Sequence, residues 1–134
     1  MAYKNIIFKV EKGVATITFN RPEVLNALNE ESLQEFSNAL VAVASDEDIR
    51  VLVLTGAGEK SFVAGADITE FLRFNVLKAK IFAETGHKLI NRLQELPITV
   101  IAAVNGFALG GGCEIVIGCD LISVSYTHLT LPTI

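Results

Sequence analysis

Three consecutive glycines, Gly110 to Gly112, constrain the fold of this chain more than any other feature of its sequence. Glycine loses more backbone entropy on folding than other residues, so such a run is costly unless something must approach the backbone closely. The run follows an apolar segment rich in β-formers, residues 100–104, and precedes a segment of helical composition that carries Glu114. A strand that leads through glycine into a helix offers free backbone N–H groups and a partial positive charge. This arrangement predicts a site for an oxygen that gains negative charge, with a carboxylate nearby that can move a proton.

Glu114 has a second interpretation, because a glutamate in the first turn of a helix complements the helix dipole. Its neighbours at positions 113 and 115–117 are all apolar, which favours a buried carboxylate over an exposed one. Carboxylates in apolar surroundings mark catalytic sites only statistically. Both roles therefore stay open from the residues alone.

Hydrophobic patterns divide the rest of the chain into strands and helices. Two runs rich in β-formers on either side of residues 11–13 predict an antiparallel hairpin. Asn29 precedes two glutamates and an apolar pattern of helical spacing, which predicts a capped helix to about residue 44. The uninterrupted apolar run at residues 51–55 is typical of a strand covered on both faces. A longer helix is predicted over about residues 76–96. Its expected inner face comprises Phe82, Leu89, Ile90, Leu93 and Leu96.

Strands that alternate with helices in this way predict an α/β fold with a parallel sheet. In such sheets, ligands bind beyond the carboxyl ends of the strands. Two stretches of small residues, one after Thr55 and one after Val104, are therefore expected to open at the same edge. Asp67 in the first stretch is predicted to be a helix N-cap, and Asp120 a structural turn residue.

The high hydrophobic content of the chain requires a membrane segment to be considered. Hydrophobic residues make up 51% of the 134 residues, mean hydropathy is +0.47, and residues 98–119 carry a single charge, Glu114. A membrane span is excluded because this segment holds five glycines and because Glu114 would cost roughly 2.5–3.5 kcal/mol inside a bilayer. The net charge of −4 argues against a nucleic-acid partner. The first residues resemble neither a secretory signal nor a transit peptide, which predicts a cytoplasmic protein.

Other common site motifs are absent from the sequence. Cys113 and Cys119 are spaced neither as a zinc ribbon nor as a redox pair, which predicts reduced, buried thiols. Gly56-Ala57-Gly58 lacks the third glycine of a dinucleotide fingerprint, and the chain contains no P-loop sequence. These patterns favour neither a metal site nor a dinucleotide or P-loop site.

Three motifs together resemble the enoyl-CoA hydratase (crotonase) family, and most closely its bacterial short-chain hydratases. They are Asn20-Arg21-Pro22 with the Leu-Asn-Ala-Leu of residues 25–28, the Ala-Gly-Ala-Asp-Ile of residues 64–68, and residues 101–121. The resemblance implies a crotonase-like spiral of ββα units that assembles as a homotrimer or a hexamer. It also implies the reversible addition of water to 2-enoyl-CoA thioesters. Residues 1–124 correspond to roughly the N-terminal half of a family member.

The resemblance implies a role for each candidate site residue. The backbone N–H groups of Ala66 and Gly111 would form an oxyanion hole for the thioester carbonyl. Glu114 would match the first of two glutamates that handle the water. The residues that would line the coenzyme A thioester site are Ala64, Ala66, Asp67, Ile68 and Gly111. No metal or redox cofactor is implied, since coenzyme A belongs to the substrate. Arg21 and Lys60 could meet its phosphates, but exposed solubilising charges are the preferred interpretation.

The last ten residues, 125–134, depart from the family pattern. They contain no Asp, Glu, Lys or Arg and no helical period, where family members continue to a second glutamate and further helices. We predict that this segment is a foreign or frameshifted tail, that one hydratase carboxylate is missing, and that apolar surface is left exposed. Two alternatives stay open. One is an enoyl-CoA isomerase of the same family, which uses the same oxyanion hole, and the other is a non-catalytic CoA-binding fragment.

Overall fold

The computed structural model describes residues 2–125. Its elements are β1 (Ile6–Glu11), β2 (Val14–Phe19), a 3-10 turn (Pro22–Val24), α1 (Glu30–Ser45), β3 (Val51–Gly56), β4 (Ser61–Ala64), α2 (Ile68–Phe71), α3 (Val76–Glu95), β5 (Thr99–Val104), β6 (Phe107–Leu109), α4 (Gly111–Ile117) and β7 (Leu121–Val124). The predicted foreign tail lies, apart from Ser125, outside the described residues and stays a prediction.

The strands form two sheets that repeat a ββα unit. Five strands make a large sheet in the order β1-β2-β3-β5-β7, and β4 and β6 make a small parallel sheet. β1 and β2 are antiparallel, as predicted for the hairpin, and the other neighbours in the large sheet are parallel. From β3 onward, each of the next two units consists of a strand of the large sheet, a strand of the small sheet and then helix. The predicted α/β spiral of ββα units is confirmed.

The helix α1 begins at the predicted cap. The Asn29 side chain accepts a hydrogen bond from the Ser32 N–H at 2.8 Å, and the Ser32 hydroxyl accepts one from the Asn29 N–H at 2.8 Å. This reciprocal pairing is a capping box, which satisfies two N–H groups at the start of the helix. The prediction of a capped amphipathic helix is confirmed, and the helix ends one residue later than expected, at Ser45.

The hydrophobic core lies between one face of the large sheet and the helices α1, α3 and α4. Within it, the buried Phe19 makes edge-to-face contacts with Phe36 and Phe62 at ring-centroid distances of 5.2 and 5.8 Å. In β3, Leu52 and Leu54 are fully buried, whereas the alternate residues are half-buried. The prediction that both faces of β3 are covered is therefore wrong for the described chain, because the helices cover one face.

The helix α3 is less buried than its apolar pattern indicates. Leu89 and Leu93 are buried, but the other three residues of the predicted inner face are only half-buried. The residues 98–119 that raised the membrane question form β5, β6 and α4. Across residues 2–125, no helix combines the length and the hydropathy that a membrane span requires.

Apolar side chains are exposed around α4 and β7, as predicted. The most exposed large ones there are Phe107, Leu109, Ile117, Leu121 and Ile122, at 42–67%.

Candidate functional site

The candidate site lies at the carboxyl edge of the large sheet. β3 and β5 are parallel neighbours, so the chain leaves both strands at the same edge, as predicted. Each segment then enters the small sheet, where Ala64 of β4 pairs with Leu109 of β6. These two short strands were not predicted, although they decide the geometry of the site. Their pairing places the loop of residues 65–67 beside the start of α4, so that a Cβ at Gly110 would lie 3.7 Å from the Cα of Gly65.

Backbone conformation explains the glycine at position 110, and close packing explains the one at position 112. Gly110 has a φ of 51° and a ψ of −117°, a conformation that residues with a side chain rarely adopt. A Cβ at Gly112 would lie 1.9 Å from the carbonyl oxygen of Val63, so the first turn of α4 packs with its backbone directly against β4. Gly111 differs, since a Cβ there would be 3.5 Å from Leu28 Cδ1, an ordinary contact.

The backbone N–H groups of Ala66 and Gly111, which lie on adjacent segments at this junction, have no acceptor among residues 2–125. The residues on either side of Ala66 are both paired: the Gly65 carbonyl accepts from Leu28 N–H, and the Asp67 N–H donates to the Leu28 carbonyl, each at 2.8 Å. Gly111 is the first residue of α4, where N–H groups lack partners within the helix. The two N–H groups expected to form an oxyanion hole are thus unpaired donors on adjacent segments.

Asp67 caps the short helix α2, as predicted. Its Oδ1 accepts hydrogen bonds from the Thr69 N–H at 3.0 Å and the Thr69 hydroxyl at 2.6 Å. Its Oδ2 accepts one from the Arg21 guanidinium at 3.0 Å. The hydrogen bond from the Thr69 side chain, with the bond and charge of Arg21, holds the pKa of Asp67 below its ordinary value, although burial acts in the opposite direction.

Arg21 is not the exposed solubilising charge that the sequence suggested. Its side chain is 16% exposed, and besides the bond to Asp67 it donates to the Ala27 carbonyl at 2.7 Å. Lys60, by contrast, is exposed as expected. The prediction failed for Arg21 because its charged partner is 46 residues away, and the residues near Arg21 in the sequence do not indicate such a pairing.

Asn26 is a second structural residue of the site that sequence reasoning missed. It is 1% exposed and has a φ of 59°, a left-handed conformation that asparagine tolerates better than most residues. Its side chain accepts from the Arg21 N–H at 2.8 Å and donates to the carbonyls of Ala57 and Ser61 at 3.1 and 2.9 Å. Asn26 therefore joins the segment before α1 to the residues that lead into β4.

Glu114 is exposed, so the burial expected from its apolar neighbours in sequence is wrong. Ile115 and Val116 bury the opposite face of α4 instead. Glu114 follows Gly111 by three residues, which places both on one face of the helix. It borders a groove of about 290 Å³ lined also by His87, Ile90, Asn91, Gln94, Ile117 and Gly118. A larger groove of about 630 Å³ includes Arg50 and Thr99, at the opposite ends of the strands, and Asp120 is the one candidate residue that lines it.

The remaining candidates divide into exposed and half-buried residues. Ile68 is 70% exposed, whereas Ala64 is half-buried. Cys113 and Cys119 are free thiols, as predicted, but both are half-buried rather than buried. Asp120 has the predicted structural role, since its Oδ2 accepts from the Val100 N–H at 2.8 Å.

This chain belongs to the enoyl-CoA hydratase/isomerase family, whose family model matches residues 9–128. It is 49% identical over 121 residues to a short-chain-enoyl-CoA hydratase of Clostridium acetobutylicum, covering 90% of this chain and 46% of that protein. It is 46% identical over 120 residues to a crotonyl-CoA hydratase of Syntrophomonas wolfei, with 90% and 46% covered. Among solved structures, an enoyl-CoA hydratase from Bacillus anthracis superimposes with a TM-score of 0.88 at 36% identity, over 90% of this chain and 47% of that one.

The chain thus spans about half the length of the relatives that it matches. The family match includes residues 125–128 of the segment predicted to be foreign. The boundary at residue 124 stays a prediction.

Proposed function

We propose that this chain provides the oxyanion hole and one acid/base carboxylate of an enoyl-CoA hydratase, which adds water reversibly to 2-enoyl-CoA thioesters. The observation that supports this most directly is the pair of unpaired N–H groups, Ala66 and Gly111, on adjacent segments at the carboxyl edge of the sheet. Relatives at 46–49% identity are named as hydratases of this kind.

In the proposed reaction, the thioester carbonyl accepts hydrogen bonds from the Ala66 and Gly111 N–H groups. When water attacks C3 of the enoyl group, electron density moves through the double bond to the carbonyl oxygen, giving an enolate. Donors held in place for that charge stabilise the transition state more than the substrate, and losing one such donor typically costs about 10²–10³ in kcat.

Glu114 accepts a proton from the attacking water as the new C–O bond forms, and the enolate takes a proton at C2 from the second glutamate that the family pattern implies. Return of the water-derived proton from Glu114 to that carboxylate restores both groups. Its exposure beside the groove between α3 and α4 leaves the carboxylate accessible to water and ligand. The helix-dipole role is compatible with this one, because both place a glutamate in the first turn of α4. The family pattern implies a second glutamate beyond residue 124, and hydration at full rate depends on both.

We further propose that coenzyme A is bound as part of the substrate along Ala64, Ala66, Asp67, Ile68 and Gly111. Small side chains at positions 64 and 66 let a ligand approach the backbone closely. No separate cofactor is required for this chemistry. We also propose the cytoplasm as the location and, from the family resemblance, a homotrimer or hexamer as the assembly of the full-length protein.

The proposal is tested by supplying the chain with 2-butenoyl-CoA and following the loss of absorbance of the conjugated thioester. Calorimetric titrations with butanoyl-CoA and with free coenzyme A run in parallel. Hydration supports the proposal, whereas thioester binding without turnover supports the CoA-binding alternative. If the chain shows neither turnover nor binding, both hypotheses are refuted. Formation of 2-butenoyl-CoA from 3-butenoyl-CoA, without hydration, would instead favour the isomerase.

A further inference from the structure

We propose that Arg21 is a positioning residue that sets the location of the Ala66 N–H group in the site. Its guanidinium joins the segment of residues 25–28 to the loop of residues 65–67, in which Ala66 lies. The inference rests on the proposed function, because it concerns a donor of the proposed oxyanion hole.

Backbone hydrogen bonds already tie these two segments together. The Ala64 N–H donates to the Leu25 carbonyl at 3.1 Å, and Leu28 pairs through both of its backbone groups with the residues that flank Ala66. The Ala66 N–H therefore sits between two bonded neighbours, and its position follows that of Leu28. Any displacement of residues 25–28 relative to the loop moves this donor.

The Arg21 guanidinium adds two side-chain hydrogen bonds between the same two segments. One terminal nitrogen donates to the Ala27 carbonyl at 2.7 Å, and the other donates to Asp67 Oδ2 at 3.0 Å. The planar guanidinium presents these two donors at a fixed separation, which a lysine ammonium does not reproduce. Arg21 thus links the residue just before Leu28 to the residue just after Ala66.

The ion pair differs from an ordinary surface pair in its burial. The Arg21 and Asp67 side chains are only 16% and 12% exposed, whereas exposed pairs contribute little because water and salt screen them. The Arg21 backbone is also held, since its N–H donates to Asn26 Oδ1 and its carbonyl accepts from the Asn26 N–H at 2.9 Å. Because hydrogen bonds from Thr69 and Arg21 keep the pKa of Asp67 low, the carboxylate is ionised at neutral pH and its ion pair with Arg21 is formed.

Gly111 is not held by the hydrogen bonds of Arg21 to Ala27 and Asp67. Its N–H is placed by the first turn of α4, which packs on β4 through Gly112 and Val63. Loosening the Arg21–Asp67 contact should therefore displace the Ala66 donor and leave the Gly111 donor in place. A general loss of stability would not separate the two donors in this way.

The experiment is an amide NMR titration of the ¹⁵N-labelled chain with butanoyl-CoA, a saturated thioester that cannot be hydrated. Free coenzyme A is the reference, because it lacks the thioester carbonyl. Arg21→Lys is compared with Arg92→Lys, a matched change at an exposed arginine of α3 that donates to Ser37 Oγ at 3.0 Å. We expect the Ala66 and Gly111 signals to shift in the wild type and in Arg92→Lys. In Arg21→Lys, the Ala66 shift should fall at least about threefold while the Gly111 shift is retained, since displacements of about 1 Å suffice to break such alignment.

The outcomes separate the two proposals. Absence of both shifts in the wild type contradicts the proposed function itself. Wild-type shifts at both residues in Arg21→Lys, or equal loss at both, overturns the positioning role and leaves the oxyanion hole standing. Asp67→Asn is a second variant for the case in which Arg21→Lys does not fold, because asparagine still accepts from Thr69 but removes the ion pair. It should give the same selective loss at Ala66, and an unchanged Ala66 shift there overturns the inference.

Discussion

The side-chain amide of Asn105 pairs with both polar groups of the Gly56 backbone. Asn105 Oδ1 accepts from the Gly56 N–H at 3.0 Å, and Nδ2 donates to the Gly56 carbonyl at 2.8 Å. Nδ2 is also within hydrogen-bonding distance of the carbonyls of Gly58 and Ser61. The side chain therefore continues the β3–β5 ladder by one more step, at the point where both segments turn away to the small sheet. It fixes the origin of the two loops that carry the candidate donors.

Replacing Asn105 by aspartate should lower the free energy of unfolding by about 1–3 kcal/mol, because the variant loses its donors and faces three carbonyl oxygens with a carboxylate. Asn38→Asp is the matched control, since Asn38 is a half-buried residue of α1 whose one side-chain hydrogen bond is accepted from the exposed Gln34. We expect the control to change stability by no more than about 0.5 kcal/mol. Urea unfolding followed by circular dichroism measures both, and equal effects of the two substitutions would contradict the role given to Asn105.

Gly112→Ala and Gly86→Ala should change stability in opposite directions. A Cβ at Gly112 would meet the Val63 carbonyl oxygen at 1.9 Å, so we expect a loss of about 1–3 kcal/mol or more. Gly86 lies within α3 with nothing within 4 Å of its Cβ position, and alanine there should add about 0.5–1 kcal/mol. Thermal unfolding of the two variants decides this, and a tolerated alanine at position 112 would show that α4 does not pack on β4 as described.

In the full-length protein, Glu114→Gln should lower the hydration rate of 2-butenoyl-CoA by at least about a hundredfold, because glutamine keeps the shape of the side chain and cannot accept the proton. Glu84→Gln, at an exposed position of α3, is the control and should leave the rate unchanged. The rates are compared at saturating substrate, so that binding differences do not contribute. Turnover of Glu114→Gln close to that of the wild type would remove Glu114 from the mechanism.

The Arg21–Asp67 contact should make stability depend on acid pH. The pKa of Asp67 in the folded chain lies below the ordinary value of 3.8, so the folded state binds this proton less readily than the unfolded state does. The stabilisation is therefore complete above the unfolded pKa and is lost as pH falls through the folded pKa. The difference in unfolding free energy between the wild type and Asp67→Asn should be constant from pH 7 to about pH 5 and shrink below about pH 4. A difference that does not vary with pH would contradict this.

Cys119 should resist alkylation in the folded chain. Burial, and secondly the charge of Asp120, raise the pKa of its thiol to about 12, and the thiol donates to the Ile115 carbonyl at 3.2 Å. Since the thiolate is the reacting form, iodoacetamide at pH 8.5 should modify Cys119 slowly in buffer and rapidly in urea. Peptide mass spectrometry gives the two rates, and equally fast modification in both conditions would contradict the burial of this thiol.

Features that depend on neighbouring residues follow directly from the sequence. The hairpin turns at Lys12 and Gly13, both with positive φ, and Asn29 caps α1 through a residue three positions on. Such turns and caps are local contacts, so a few residues suffice to specify them. The three motifs were sufficient to identify the family and its fold class, which the comparisons confirm.

The arrangement of the candidate site depends instead on contacts between residues that are distant in the chain. The strands β4 and β6 are four and three residues long, and what stabilises them is their pairing with each other across more than 40 positions of the chain. The partner of Arg21 and the exposed side of Glu114 likewise depend on which surfaces meet after folding. Burial and long-range pairing are properties of packed elements, and no local pattern of residues determines them.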